Sequence, residues 1–170
     1  MLFRSETAES LLHAHTFAGS SSRLAGFSWG PIDLMAALGA STNRGPDGGF
    51  ETLYAYARGV CVLVSAASGV SPIDTICADY RNTGTLREEC LFAHKAGFTG
   101  KLAIHPDQIA LINELFSPTA EEIAHAQRVV DSFGDGSQGV VGMEGQMLDM
   151  PHLRQAQTVL RRANRQAREN

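Results

Sequence analysis

An α/β protein of about four parallel β-α units is predicted by two features of these 170 residues. Short apolar runs of strand length alternate with helix-periodic segments through connections of a few residues, the pattern of β-α-β units and a parallel sheet. The composition, 44% hydrophobic and 19% charged, supplies a core for such a sheet. It also excludes function classes. Fourteen Lys and Arg against 18 Asp and Glu leave a net charge of −4, the wrong sign for a protein held on nucleic acid by phosphate contacts. No apolar run approaches the ~20 residues that span a bilayer, so no membrane partner is expected, and the N-terminus shows no signal-peptide apolar core. Cys61, Cys77 and Cys90 lie in apolar surroundings at spacings that match no C-x-x-C zinc site. They predict reduced core thiols in a cytoplasmic protein.

Each element has its own signal. Leu2-Phe3 opens a short strand, and Thr7 to about Ala18 reads as a helix with Leu11, Leu12 and Phe17 apolar and Gly19 as its stop. Arg23–Gly30 is a short buried strand, and the Gly-, Ser- and Asn-rich stretch 39–49 is a loop. From Phe50 to Ser68 the i, i+3, i+4 spacing of Leu53, Tyr54, Ala57, Val60, Cys61, Val64 and Ala67 predicts the longest helix. Its second half is apolar nearly all round and is expected to be well buried. Pro72–Asp79 is the third strand, Thr85–Ala96 a helix stopped by Gly97, Phe98–Ile104 the fourth strand and Pro106–Phe116 a helix. Ser117-Pro118, an N-cap residue followed by proline, predicts the start of a helix to about Phe133. Five glycines between Gly134 and Gly145 then surround a hairpin turn at Glu144-Gly145, and Pro151 to about Ala167 is a final helix. Its arginines, Arg154, Arg161, Arg162, Arg165 and Arg168, suit a helix C-terminus and a solvated face. Four parallel strands have two open edges. The sheet either stands alone as a doubly wound fold or forms half of an eight-stranded barrel of ~250 residues, and the pattern leaves both open.

Ligands bind parallel α/β proteins at the carboxyl ends of the strands. Glu6-Thr7 follows the first strand, Asp33 follows the second, Asp74 and Asp79 flank the third, and His105 ends the fourth. Glu6 and Asp33 are therefore two carboxylates on one rim from neighbouring strands, with no His or Cys between them. Hard oxygen donors of that kind suit magnesium, which keeps waters for a substrate to displace. The same positions also suit a helix cap for Asp33 and a first-turn charge for Glu6. His105, ahead of a proline, reads as a structural hydrogen-bond partner. His13 and His15 lie on different helix faces and do not chelate together. Neither a nucleotide-binding glycine motif nor a G-x-S-x-G or Cys/His nucleophile arrangement is present.

In order along the chain, Glu6-Thr7, Phe27-Ser28-Trp29-Gly30-Pro31-Ile32-Asp33-Leu34 and Pro72-Ile73-Asp74-Thr75 resemble the citrate lyase beta subunit-like branch of the HpcH/HpaI aldolase family. The resemblance continues through Gly97-Phe98-Thr99-Gly100-Lys101-Leu102-Ala103-Ile104-His105-Pro106-Asp107-Gln108-Ile109 and ends with Gly145-Gln146-Met147-Leu148-Asp149-Met150-Pro151. It implies a partial TIM-type (β/α) barrel over residues 1–134 and a C-terminal extension over 135–170. It also implies assembly as a homo-oligomer, a trimer or hexamer, and magnesium-dependent cleavage or formation of the carbon–carbon bond of acyl-CoA thioesters such as citryl-CoA and malyl-CoA. The Glu of the E-T element and the Asp of the G-x-x-D-L element hold the metal in that family. They match Glu6, which also meets substrate, and Asp33. The Asp of the M-x-D-x-P element matches Asp149, which in several relatives reaches a neighbouring subunit's site as acid/base.

Family members also carry four β-α units ahead of the E-T element, with an arginine that binds the substrate carboxylate. The resemblance therefore implies half a barrel holding both metal ligands, with an N-terminal half as a further partner. A non-catalytic remnant that keeps the metal rim and oligomer surface, and an aldolase acting on free 2-oxo acids, are the alternatives.

Overall fold

The computed structural model describes residues 1–134 and 138–169; residues 135–137 of the glycine-rich stretch and the Arg168 side chain lie outside the described residues. The chain divides into two compact units, one from Met1 to Phe116 and a second from Ser117 onward.

The first unit is a four-stranded parallel sheet in the order β1-β2-β3-β4, with β1 Leu2–Ser5, β2 Gly26–Trp29, β3 Ser71–Asp74 and β4 Gly100–Lys101. Sequential order with helical crossovers is the β-α-β topology expected from the alternation. Its helices are α1 (Ala8–Leu12), α2 (Pro31–Leu38), α3 (Thr52–Ser68), α4 (Thr83–Lys95) and α5 (Asp107–Phe116). α3 packs on β2 and β3, and α4 packs on β4 and α5. Phe27, Trp29, Leu34, Tyr54, Leu86, Cys90, Phe98 and Ile112 form the middle of this core. Gly26 lets β2 approach its neighbours, since a Cβ there would lie 2.7 Å from the Ser71 carbonyl oxygen.

The structure differs from the sequence reading in several places, beginning with α2 at Pro31–Leu38, a helix that was not read between the second strand and the glycine-rich loop. The helix expected from Thr7 to Ala18 breaks at His13 into α1, which buries nothing, and a 3-10 turn at Ala14–Phe17 that turns Ala14 into the core. The third and fourth strands are shorter than expected because Gln108, 1% exposed, replaces the ladder beyond them. Its Nε2 donates to the Cys77 carbonyl at 3.0 Å and its Oε1 accepts from the Ile104 N–H at 2.9 Å. The second half of α3 is buried on one face only: Cys61, Val64 and Ser65 face the core while Leu63 is 71% exposed.

Further differences lie in the second unit, whose final helix, at 20 residues against 17 for α3, is the longest instead of α3. It comprises α6 (Ala120–Phe133), an antiparallel hairpin of β5 (Val140–Met143) and β6 (Gln146–Asp149), and α7 (Met150–Glu169). α6 is capped by Thr119 rather than by Ser117-Pro118: Thr119 Oγ1 accepts from the Glu122 N–H at 3.1 Å, and Glu122 Oε2 accepts from the Thr119 N–H at 2.7 Å. The division between units falls before α6, not after residue 134, because α6 packs along α7 and β5 in a core of its own, with Val129, Phe133, Val141, Leu148 and Leu153. Glu144 and Gly145, with φ of 52° and 79°, make the expected two-residue turn between β5 and β6. Among the described residues no helix is long and apolar enough to cross a membrane.

Candidate active site

β1 and β2 pair in parallel with Ser5 opposite Trp29, and the Gly30 N–H donates to the Ser5 carbonyl at 2.9 Å. This register sets Glu6, just past β1, beside the first turn of α2, where Asp33 sits. The two carboxylates converge on the space a side chain at Gly30 would fill. A Cβ there would lie 2.9 Å from Glu6 Cγ and Oε1 and 3.2 Å from Asp33 Oδ2. Gly30 has φ −123° and ψ 97°, a backbone any residue adopts, so the room it leaves is what the site uses. Arg4, two residues earlier on β1, pairs with Glu6 through Nε. Burial and the neighbouring Asp33 carboxyl push the Glu6 carboxyl up from its ordinary value, with Arg4 opposing. A carboxyl raised by its neighbouring carboxylate in this way marks a site for a hard cation. Among the described residues no group of three or more His, Cys, Asp and Glu converges. A pair of carboxylates with water and substrate oxygens completing the shell is the arrangement magnesium accepts.

Behind this rim lies a charged cluster that the sequence reading missed. Trp29, fully buried, donates from Nε1 to Asp74 Oδ1 at 2.9 Å. Asp74, 1% exposed, also accepts from Arg58 Nε at 3.1 Å and Nη2 at 2.8 Å, and Lys101 Nζ lies 3.5 Å from its Oδ2. Lys101 in turn pairs with Glu89 at 2.9 Å, and Glu89 with Arg44 at 2.6 Å. Trp29 directly precedes Gly30, so this network braces the turn that carries Asp33. The signal was present in the sequence: Arg58 stands in the apolar stripe of α3 between Tyr54 and Cys61, and an arginine so placed requires a buried acid.

Asp149 ends β6 in the second unit, just before α7. Its Oδ1 lies 2.6 Å from His152 Nδ1, and its backbone N–H lies 3.2 Å from the same ring nitrogen. His152 was not singled out from sequence, although Asp-x-x-His at a helix start is its local signature. Both side chains are about half exposed. His105 is a structural partner, as expected: its Nδ1 accepts from the Asp107 N–H at 3.2 Å and its ring stacks on Tyr80 at 4.6 Å. The His13 and His15 rings lie 6.5 Å apart.

A family model described as a carbon–carbon bond lyase of the TIM-barrel fold matches residues 50–166. A citrate lyase subunit beta-like protein of Mycobacterium tuberculosis is 34% identical over 158 residues, covering 93% of this chain and 57% of its own length. A mitochondrial citramalyl-CoA lyase of Homo sapiens is 36% identical over 136 residues, covering 78% of this chain and 38% of its own. The crystal structure of the protein CitE from Mycobacterium tuberculosis in complex with magnesium, acetoacetate and coenzyme A superposes with a TM-score of 0.79 at 33% identity, over 96% of this chain and 60% of that one. The chain thus spans about half the length of the curated relatives it matches. With four sequential parallel strands forming part of a (β/α) barrel and a family match across more than half of its residues, the chain belongs to the TIM-barrel carbon–carbon bond lyase family of the citrate lyase beta subunits.

Proposed function

We propose that this chain carries the magnesium-binding half of a carbon–carbon lyase acting on the acyl-CoA thioester of a hydroxy acid, of the citryl-CoA or malyl-CoA type. The observation that carries the reading is the convergence of Glu6 and Asp33 over Gly30 at the carboxyl ends of adjacent parallel strands. The relatives named for citrate lyase and citramalyl-CoA lyase support the substrate class, and the related structure with magnesium and coenzyme A supports the cofactor. Glu6 and Asp33 would hold the metal, with Glu6 also meeting the substrate. Magnesium, when bound, supplies a Lewis acid to the oxygens of the oxo-acid half. Asp149, held by His152, exchanges the proton at the thioester α-carbon freed by cleavage, acting on a neighbouring subunit in a cytoplasmic homo-oligomer. The buried reduced thiols Cys61, Cys77 and Cys90 support that compartment.

The test is a titration with manganese as a paramagnetic stand-in for magnesium, on the wild type, Glu6→Gln and Asp33→Asn. We expect each substitution to weaken binding at least tenfold. We also expect wild-type affinity to fall as pH drops through the raised Glu6 titration, because the proton and the metal compete for one carboxylate. Equal affinity in all three proteins would sink the assignment. Cleavage of free 2-oxo acids but not of thioesters by the oligomer would transfer the reading to an aldolase.

A further inference from the structure

A cavity of about 820 Å³ opens between α3 and α4 beneath the 44–50 loop, and neither Glu6 nor Asp33 lines it. Its size falls among small-molecule pockets, roughly 300–1,000 Å³. Arg58 lines it and is only 6% exposed. Nε and Nη2 of that guanidinium are spent on Asp74, while Nη1 has no hydrogen-bond partner among the described residues. Rings frame the same group, Phe92 at 4.6 Å and Phe98 at 5.2 Å from Cζ. The neighbouring Gly59 lies in the middle of α3, where glycine is costly to a helix, and a Cβ there would meet nothing within 4 Å. The helix is therefore bare where the cavity reaches it. Leu63 and Phe92, 71% and 64% exposed, extend the apolar wall outward.

The unpaired guanidinium nitrogen decides the class of occupant. The buried Arg58 and Lys101 balance Asp74 and Glu89, two cations against two carboxylates, with Arg44 36% exposed at the mouth, so Nη1 is a charged donor left without an acceptor. The remaining acids that line the cavity, Asp47 and Glu88, are exposed at its rim, where water and salt screen them. An anionic oxygen on Nη1, carried by an apolar body along the rings, fills this space. We infer that this cavity binds a small monocarboxylic acid with an apolar chain or ring, its carboxylate on Arg58 Nη1 and its body along Gly59, Leu63 and Phe92. The site is independent of the proposed magnesium centre.

The test is calorimetric titration of the 170-residue chain with decanoate below its micellar concentration, beside decanol and decylamine as arms with the same tail and a neutral or cationic head. Emission of Trp29, the chain's one tryptophan, is followed in parallel, since its Nε1 and Arg58 share Asp74. Saturable one-to-one binding of decanoate, at least tenfold tighter than decanol and with no binding of decylamine, is expected. Gly59→Leu fills open space on a helix and should weaken decanoate at least tenfold with an unchanged circular dichroism spectrum. Should that variant fail to fold, the exposed Phe92→Ala gives the same reading. Glu6→Gln should leave decanoate binding unchanged. Absence of decanoate binding, equal affinity for decanol, or full affinity in the folded Gly59→Leu protein (or in Phe92→Ala where that stands in) would each overturn the proposal.

Discussion

Gly30 is where the candidate metal site is most easily broken. Its backbone tolerates a side chain, but its Cβ position lies against both Glu6 and Asp33, so Gly30→Ala should spread the carboxylates while keeping the fold. We expect manganese affinity to fall at least tenfold with thermal unfolding nearly unchanged, measured by paramagnetic titration and by circular dichroism. Asp149 separates two roles in a similar way. As a cap of α7 its loss would cost about 1 kcal/mol, whereas as acid/base its loss would cost roughly 10²–10⁴-fold in rate. Asp149→Asn keeps most of the capping ability, so in any active form of the protein turnover should collapse while the melting temperature holds; undiminished turnover would leave only the structural role. That Glu6 and Asp33 share one rim was legible from sequence because both come just after short strands, where a parallel sheet presents its carboxyl ends. His152 was not, because its partnership with Asp149 depends on a helix start and a ring orientation.

At the scale of elements, α3, β3 and β4 are tied by charge as well as by packing. Removing the Asp74 charge strands Arg58 and Lys101 in the interior, and breaking a buried pair costs roughly 3–5 kcal/mol. Asp74→Asn should therefore lower the urea midpoint strongly and shift Trp29 emission, while an exposed pair such as Arg87–Glu114, 3.1 Å apart, should be nearly silent when cut. The cysteines give a second prediction. Burial pushes Cys61 on α3 up to about 12, with the nearby Asp74 charge adding to it, and Cys90 on α4 up to about 11. Thiols raised in the folded state favour folding below the unfolded pKa near 9.0, and that contribution is lost as pH climbs toward 11–12. Stability should decline above about pH 9, and a thiol reagent at pH 8 should label Cys61 and Cys90 only after denaturation. Helices α3 to α7 were readable from the sequence, α3 and α4 with their glycine stops; α2, proline-led and only eight residues long, was not. The ends of β3 and β4 were not, because Gln108, distant in sequence, supplies the hydrogen bonds that a longer ladder would have made.

For the whole molecule the decisive feature is the sheet with β1 and β4 at its ends. Among the described residues each of these strands has one paired neighbour, and Leu2 on β1 is 44% exposed. Open edges with apolar positions pair with another copy or aggregate. Sequence pattern left a free-standing sheet and a half-barrel equally open because both have the same local alternation; the family match and the superposition on longer relatives decided for the barrel. The 170-residue chain alone should therefore run in solution above its 18.2 kDa monomer mass. Two half-barrels can offer each other β1 and β4 and so bury both edges. The relatives named for the lyases are nearly twice as long as the stretch matched here or longer, so structure should be rescued without turnover. Mass by light scattering and cleavage of malyl-CoA and citryl-CoA should be measured for the chain alone, then with a relative's N-terminal half added in trans. Cleavage is expected only in the mixture, and a well-behaved monomer that cleaves either thioester unaided would show that Glu6, Asp33 and Asp149 make a complete site by themselves.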